Sequence, residues 1–147
     1  MSAIRIRPVT IADAHAVWTL LCTLEDQLFD YTLCTQLLTQ NLQQPNNIYL
    51  LAVDEQSEAL GYISCHGQIL LHHMGMVYEI QELVVASEAR GLGIGKQLIA
   101  ALEEILSTRE CTSLEVTSSK KRTDAHRFYR SYGFAESHFK FTRQVKQ

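Results

Sequence analysis

At 147 residues, with 46% hydrophobic and 20% charged residues, the chain is long and apolar enough to bury a core without disulfide or metal staples, so it reads as one globular domain spanning residues 1–147. A net charge of −3 argues against a nucleic-acid partner, and no stretch approaches 18 uncharged apolar residues, so no membrane span is expected. Cys22, Cys34, Cys65 and Cys111 form no C-x-x-C pair and signal neither a zinc site nor a disulfide framework. The arginines of the N-terminal MSAIRIRPVT interrupt any signal-peptide core, and a reduced cytoplasmic protein is expected.

In chain order, Ile4-Arg5-Ile6-Arg7 alternates as a strand, and Thr10 with Asp13 has capping-box spacing for a helix running to about Leu24. A second helix is predicted from about Tyr31 to Leu42, ended by Pro45. Ile48 to Val53 and Leu60 to Cys65 read as a hairpin around the polar turn 54–58, and Val77 to Val85 as a further strand. Apolar residues at 94, 98, 102, 105 and 106 mark a helix with one core-facing stripe. Leu114 to Thr117 reads as a strand, Asp124 to Tyr132 as a short helix stopped by Gly133, and Ser137 to Thr142 as a last strand. The order βααβββαβαβ predicts a mixed α/β sheet in one layered domain.

Charge is distributed unevenly. From Lys120 onward eight basic residues face two acidic ones, whereas residues 1–119 carry five basic and fourteen acidic. The basic C-terminal fifth could help hold an anion or form a solvated face.

Between the third strand of the hairpin region and the long helix lies Arg90-Gly91-Leu92-Gly93-Ile94-Gly95-Lys96. A Walker A loop would need Ser or Thr where Gln97 stands, and a dinucleotide fingerprint needs wider glycine spacing, so neither nucleotide mode fits. A glycine-rich turn that opens a helix leaves unpaired N–H groups and a positive dipole end, a place suited to a pyrophosphate.

This R-x-x-G-x-G stretch after the apolar Leu83-Val84-Val85, together with Ala125-His126-Arg127-Phe128-Tyr129 and Gly133-Phe134, resembles the two signatures of the GNAT superfamily of acetyl-CoA-dependent N-acetyltransferases. The resemblance implies the GNAT fold, a splayed mixed sheet flanked by helices, with acetyl-CoA as cosubstrate and a small-molecule amine as acceptor. It further implies that the backbone of Leu83, Val84 and Val85 pairs with the pantetheine arm, that Arg90, Gly91, Leu92, Gly93, Ile94, Gly95 and Lys96 hold the pyrophosphate, and that Ser119, His126 and Phe128 are further cofactor contacts. A homodimer is a common state in that superfamily. Segments 79–85, 121–129 and 137–142, with the pair His72-His73, look more narrowly like those of aminoalkylphosphonate N-acetyltransferases, which implies an aminoalkylphosphonate as acceptor. The same resemblance makes a divalent cation a candidate cofactor, with one histidine near Glu79 helping to hold it. In a regular strand, however, His72 and His73 would point to opposite faces.

Acetyl transfer to an amine requires a neutral nitrogen, yet an alkylamine with pKa near ~10 is only about 0.1% neutral at pH 7. Glu79 and Glu82, carboxylates in an otherwise apolar strand, are the candidate bases, or else edge-facing solubility residues. Alternation places Glu79 with Gln81 and Leu83 on one face and Glu82 with Ile80 and Val84 on the other, so only one glutamate faces a given cleft unless a bulge intervenes. The family resemblance favours Glu79. Tyr129 by itself reads as part of a core stripe with Ala125, Phe128 and Tyr132, and the resemblance makes it the general acid that protonates the leaving thiolate. Another small-amine or aminoglycoside acetyltransferase would differ only in its pocket. An acidic pocket would favour polycations and several Arg or Lys a phosphonate. A non-catalytic acyl-CoA-binding module would keep the glycine turn without needing both Glu79 and Tyr129.

Overall fold

Residues 47–53 form an almost uninterrupted apolar run, and such a run is stable as a strand only when covered on both faces. A computed structural model, which describes residues 3–146, places it there: every residue from Ile48 to Val53 is buried in strand β2 (Asn47–Val53). Met1, Ser2 and Gln147, the ends of the domain expected over 1–147, lie outside the described residues. Around β2 stand β1 (Arg5–Pro8), β3 (Ala59–Leu70), β4 (Gly75–Val85) and β5 (Ser113–Val116), in the order β1-β2-β3-β4-β5. The first four pair antiparallel, and β5 joins β4 in parallel.

Helices α1 (Ala14–Glu25) and α2 (Tyr31–Leu42) pack on β2, β3 and β4, while α3 (Ile94–Leu106) crosses β1 to β4 on the opposite face. Each boundary has a local cause. The Asp13 carboxylate accepts from the Thr10 N–H at 2.8 Å and from both terminal nitrogens of Arg7 at 2.9 Å, so β1 is fastened to the start of the helical segment. Asp30 caps α2 by accepting from the N–H groups of Thr32 and Leu33. Trp18 Nε1 donates to Phe29 O at 2.8 Å and its ring meets Tyr31 edge-on, which fixes the turn between α1 and α2. Ile94, Leu98, Leu102 and Leu106 of the stripe read from the sequence are buried along α3; Ile99 is buried with them, and Ile105 is only half-buried.

The last helix, α4 (Thr123–Ser131), lies against the start of α3, where the Phe128 ring stands 3.3 Å from the place a Cβ on Gly95 would occupy. Two readings of the sequence are corrected. Residues 137–142 form no strand: the sheet of the described residues ends at β5, and Phe139 and Phe141 are 81% and 92% exposed. The adjacent histidines are not in a strand either, because Leu71–His73 make a single 3-10 turn at the tip of the long β3–β4 hairpin.

Candidate active site

The site is built where β4 parts from β5. The two strands pair from Val77↔Ser113 to Ile80↔Val116 and no further, whereas β4 continues to Val85 with only β3 beside it, through Leu83↔Ile63, Val84↔Tyr62 and Val85↔Gly61. From Gln81 to Val85 one edge of β4 therefore faces an open fork, with backbone groups free to accept an extended amide chain as a neighbouring strand would.

Beyond β4, residues 87–89 make a 3-10 turn and the chain enters α3 through Gly91 and Gly93, at φ of +82° and +80°. Both conformations favour glycine, and a Cβ at either position would meet no atom within 4 Å, so the space above the turn is open. Among the described residues, no protein group accepts a hydrogen bond from any backbone N–H between Gly91 and Lys96; the first such bond of the helix is Gln97 N–H to Gly93 O at 3.1 Å. Six unpaired donors at a helix N-terminus form a cradle for an anion. Leu92 and the Arg90 and Lys96 side chains lie at its exposed rim.

The strand between fork and hairpin departs from simple alternation. Ser64 pairs with Glu82 but Cys65 with Ile80 and His66 with Glu79, which leaves Gln81 as the extra residue of a β-bulge. The bulge puts Glu79 and Glu82 on the same face of the sheet, so the assignment of the two glutamates to opposite faces is corrected. Glu79 stands two residues before the fork opens at Gln81, and its Oε2 accepts from Thr117 Oγ1 at 2.8 Å. Glu82 stands within the fork; its carboxylate accepts a hydrogen bond from Ser64 Oγ, and its N–H donates to the same oxygen at 3.0 Å. Ser64 is fully buried, and no local sequence pattern marked it. Its role depends on the pairing between two strands.

Glu82 also lines a cleft of about 290 Å³ between the sheet and the pair α1/α2. Its walls include Leu21, Phe29, Leu33 and Leu37, its floor Tyr49 and Tyr62, and no Lys or Arg lines it. Burial pushes the Tyr49 hydroxyl up to about 12, and pushes Tyr62 further in the same direction with Glu82 adding to it. Asn41 Nδ2 donates to the Tyr49 oxygen at 2.8 Å, and Tyr49 in turn meets His66 Nε2 at 3.2 Å. Burial lowers His66 below its usual value, against the pull of Glu82 and Glu79.

On the other bank of the fork, Tyr129 is half-buried between the rings of Phe128 and Phe134, and its hydroxyl has no hydrogen-bond partner among the described residues. Burial raises its pKa and the nearby Arg122 charge only partly opposes that, so the phenol holds its proton through neutral pH. Arg122 NH2 reaches back to Leu24 O and Glu25 Oε2, both at 3.1 Å, tying the start of α4 to the end of α1. Ser119 and His126 are in mutual contact, the histidine Nε2 lying 2.7 Å from Ser119 O.

A metal does not fit what is present. Among the described residues there is no group of three or more His, Cys, Asp or Glu side chains able to hold an ion, and His73 Nε2 instead sits 3.8 Å from Glu115 Oε2, with His72 packed edge-on against it. No helix of the described residues is long and apolar enough to cross a membrane.

An anion cradle at a helix start thus lies beside a strand edge that can take an amide chain, with carboxylates on one bank and a phenol on the other. The chain belongs to the GNAT family of acetyltransferases, whose model matches residues 16–134. It is therefore an acetyltransferase, and the cosubstrate of that family is acetyl-CoA. The chain is 40% identical over 145 residues to an aminoalkylphosphonate N-acetyltransferase of Salmonella typhimurium, covering 99% of this chain and 94% of the relative. Among solved structures it resembles one described as a transcriptional regulator from Bacillus halodurans C-125, with TM-score 0.89 and 26% identity over 97% of this chain and all of the other. It shares its fold, at TM-score 0.87 and 19% identity over 99% of this chain and 97% of the other, with an aminoglycoside N-acetyltransferase solved in complex with CoA.

Proposed function

We propose that the protein moves an acetyl group from acetyl-CoA directly to the primary amine of an aminoalkylphosphonate, working as one domain in the cytoplasm. The observation that carries the transferase chemistry is the run of unpaired N–H groups from Gly91 to Lys96 beside the open Gln81–Val85 edge. The choice of acceptor rests on likeness to the Salmonella relative, and the surplus of basic residues after Lys120 is compatible with an anionic substrate.

In this reading acetyl-CoA, when bound, supplies an activated acetyl group. The Gly91–Lys96 amides and the rim side chains Arg90 and Lys96 hold its pyrophosphate, and Leu83 to Val85 align the pantetheine arm; Leu92, Ile94 and Gly95 shape the turn, while Ser119, His126 and Phe128 flank the other bank. Glu79, at the vertex of the fork, takes the proton from the acceptor ammonium, directly or through water. Glu82, aimed by Ser64, is the second candidate base. Tyr129 returns a proton to the departing sulfur, for which a phenol kept protonated by burial is suited. No cysteine lies in the glycine turn or in α4, which favours direct transfer over an acetyl-enzyme.

One observation favours a second reading. The cleft beside Glu82 carries two carboxylates, Asp30 and Glu82, many apolar side chains and no cation, which suits another small amine with a hydrocarbon body better than a buried phosphonate. Thiol release from acetyl-CoA separates the readings when 2-aminoethylphosphonate, n-hexylamine, spermidine and an aminoglycoside are compared. A kcat/KM highest for the phosphonate by tenfold or more supports the first reading. A maximum at hexylamine replaces it with the second, and no thiol release with any amine would turn the chain into a binding module.

A further inference from the structure

An aminoalkylphosphonate carries two opposite charges, and the carboxylates of the site suit only one of them. Glu79 and Glu82 can meet its ammonium, whereas the cleft beside Glu82 has no Lys or Arg in its walls. A phosphonate taken into that apolar space without a cation would lose its hydration and gain nothing in return, so its partner has to stand elsewhere along the fork.

Arg122 bridges the two banks of the fork. It opens α4 as the N-cap residue, seven positions before Tyr129 and so on the same side of the helix. Its backbone is pinned in both directions, because its N–H donates to Ser119 O at 3.0 Å and its C=O accepts from the His126 N–H at 3.1 Å. One terminal nitrogen of its side chain reaches Leu24 O and the Glu25 carboxylate, both at 3.1 Å, at the end of α1 and one turn beyond Leu21 of the cleft wall. At the same time its charge is felt at the Tyr129 hydroxyl. The basic neighbours point to other partners: Lys120 lies over the Phe139 ring, and Arg127 pairs with Asp124.

The guanidinium is only partly used. Among the described residues, its Nε and its second terminal nitrogen have no hydrogen-bond partner, and the side chain is more than a third exposed. Glu25 is exposed to a similar degree, so the pair is weak and a dianion with three oxygens can take the carboxylate's place. A planar guanidinium then offers a phosphonate two parallel N–H donors, which a lysine could not.

Resting on the aminoalkylphosphonate reading of the acceptor, we infer that Arg122 is the specificity residue of this site. It exchanges Glu25 for the phosphonate at the mouth of the fork while the amine reaches in toward Glu79 and Glu82. The cleft under α1 and α2 stays free of the anion.

Thiol release from acetyl-CoA with 2-aminoethylphosphonate and with n-propylamine tests the assignment. In the wild-type enzyme kcat/KM should be at least tenfold higher for the phosphonate. Arg122→Gln should lower that ratio by at least tenfold, through the KM for the phosphonate, whereas a displaced α4 would slow both amines together and leave the ratio alone. Glu25→Gln removes the competing carboxylate and should raise the ratio about threefold. Should Arg122→Gln fail to fold, that second variant, in which Arg122 is intact, decides alone. An unchanged ratio in the deciding variant overturns the assignment, and so does a tenfold loss of acetyl-CoA affinity by calorimetry in place of a changed ratio, which would make Arg122 a cofactor contact. A wild-type enzyme without the preference ends the acceptor reading and this inference with it; a preference that Arg122→Gln retains ends this inference alone.

Discussion

Glu79 and Glu82 are three residues apart in a strand, a spacing that ordinarily separates two side chains by the thickness of the sheet. The bulge at Gln81 cancels that separation and sets both on one face. If Glu79 accepts the proton, Glu79→Gln should lower kcat/KM at pH 7 by about 10²-fold, and the deficit should shrink as pH rises toward the pKa of the amine, because solvent then supplies the neutral nucleophile. A parallel loss at all pH values would point to a binding role, and a wild-type profile would move the base to Glu82. Tyr129→Phe removes one hydroxyl that bonds to none of the described residues, so stability should change by less than about 1 kcal/mol. As the proton donor it should nonetheless cost about 10²-fold in kcat with acetyl-CoA affinity nearly unchanged, and less with a donor whose thiol is more acidic. Full activity in that variant would return Tyr129 to the core stripe it also occupies.

At the scale of elements, the turn from β4 into α3 does two jobs with one backbone. Positive φ at Gly91 and Gly93 directs the following N–H groups outward, and the missing Cβ atoms leave the space they point into. Gly93→Val should therefore weaken acetyl-CoA binding at least tenfold by calorimetry while the α3 stripe keeps the chain folded. An unchanged affinity would separate the turn from the cofactor. The other end of the fold offers a pH test. The Arg7 hydrogen bonds lower the Asp13 pKa below its usual value, so the unfolded chain binds that proton first; the stabilisation, about 1 kcal/mol for a partly exposed pair, is present above pH near 4 and lost as pH falls through the folded value. Asp13→Asn should flatten that part of the acid-denaturation curve.

Those two regions also show what could be read without coordinates. Helix α2 matched its predicted limits because Asp30 and Pro45 bound it, and α3 because its stripe keeps one period throughout. The glycine turn was legible because the positive φ it requires at Gly91 and Gly93 favours glycine. The bulge was not, since it is a property of the register between β3 and β4 and leaves no mark on either strand alone. The strand predicted at 137–142 does not form: alternation names only the kind of partner a segment needs, and no strand of the described residues lies beside it.

For the whole molecule, the fork divides the labour of the fold. The buried β2–β3–β4 layers, clamped between α1/α2 and α3, hold one bank with the glutamates and the cradle; β5 and α4, attached through the β4–β5 pairing, the Thr117–Glu79 hydrogen bond, the Arg122 bonds to the end of α1 and the Phe128 contact, hold the other bank with Tyr129. A ligand lying in the fork touches both banks in the folded state and neither when unfolded, so its binding free energy adds to stability. At a hundredfold excess over Kd the gain is about 2.7 kcal/mol, which for a chain of this size corresponds to a rise in Tm of roughly 5–10 °C. Acetyl-CoA should produce that rise, and hydrogen exchange should slow at the Gln81–Val85 and Gly91–Lys96 amides more than in β2, which is already buried. In Gly93→Val, with affinity lowered tenfold, the rise at the same concentration should fall to about half its size. A full rise in that variant would take the pyrophosphate off the turn, and slowed exchange confined to the cleft under α1 and α2 would place the cofactor away from the fork.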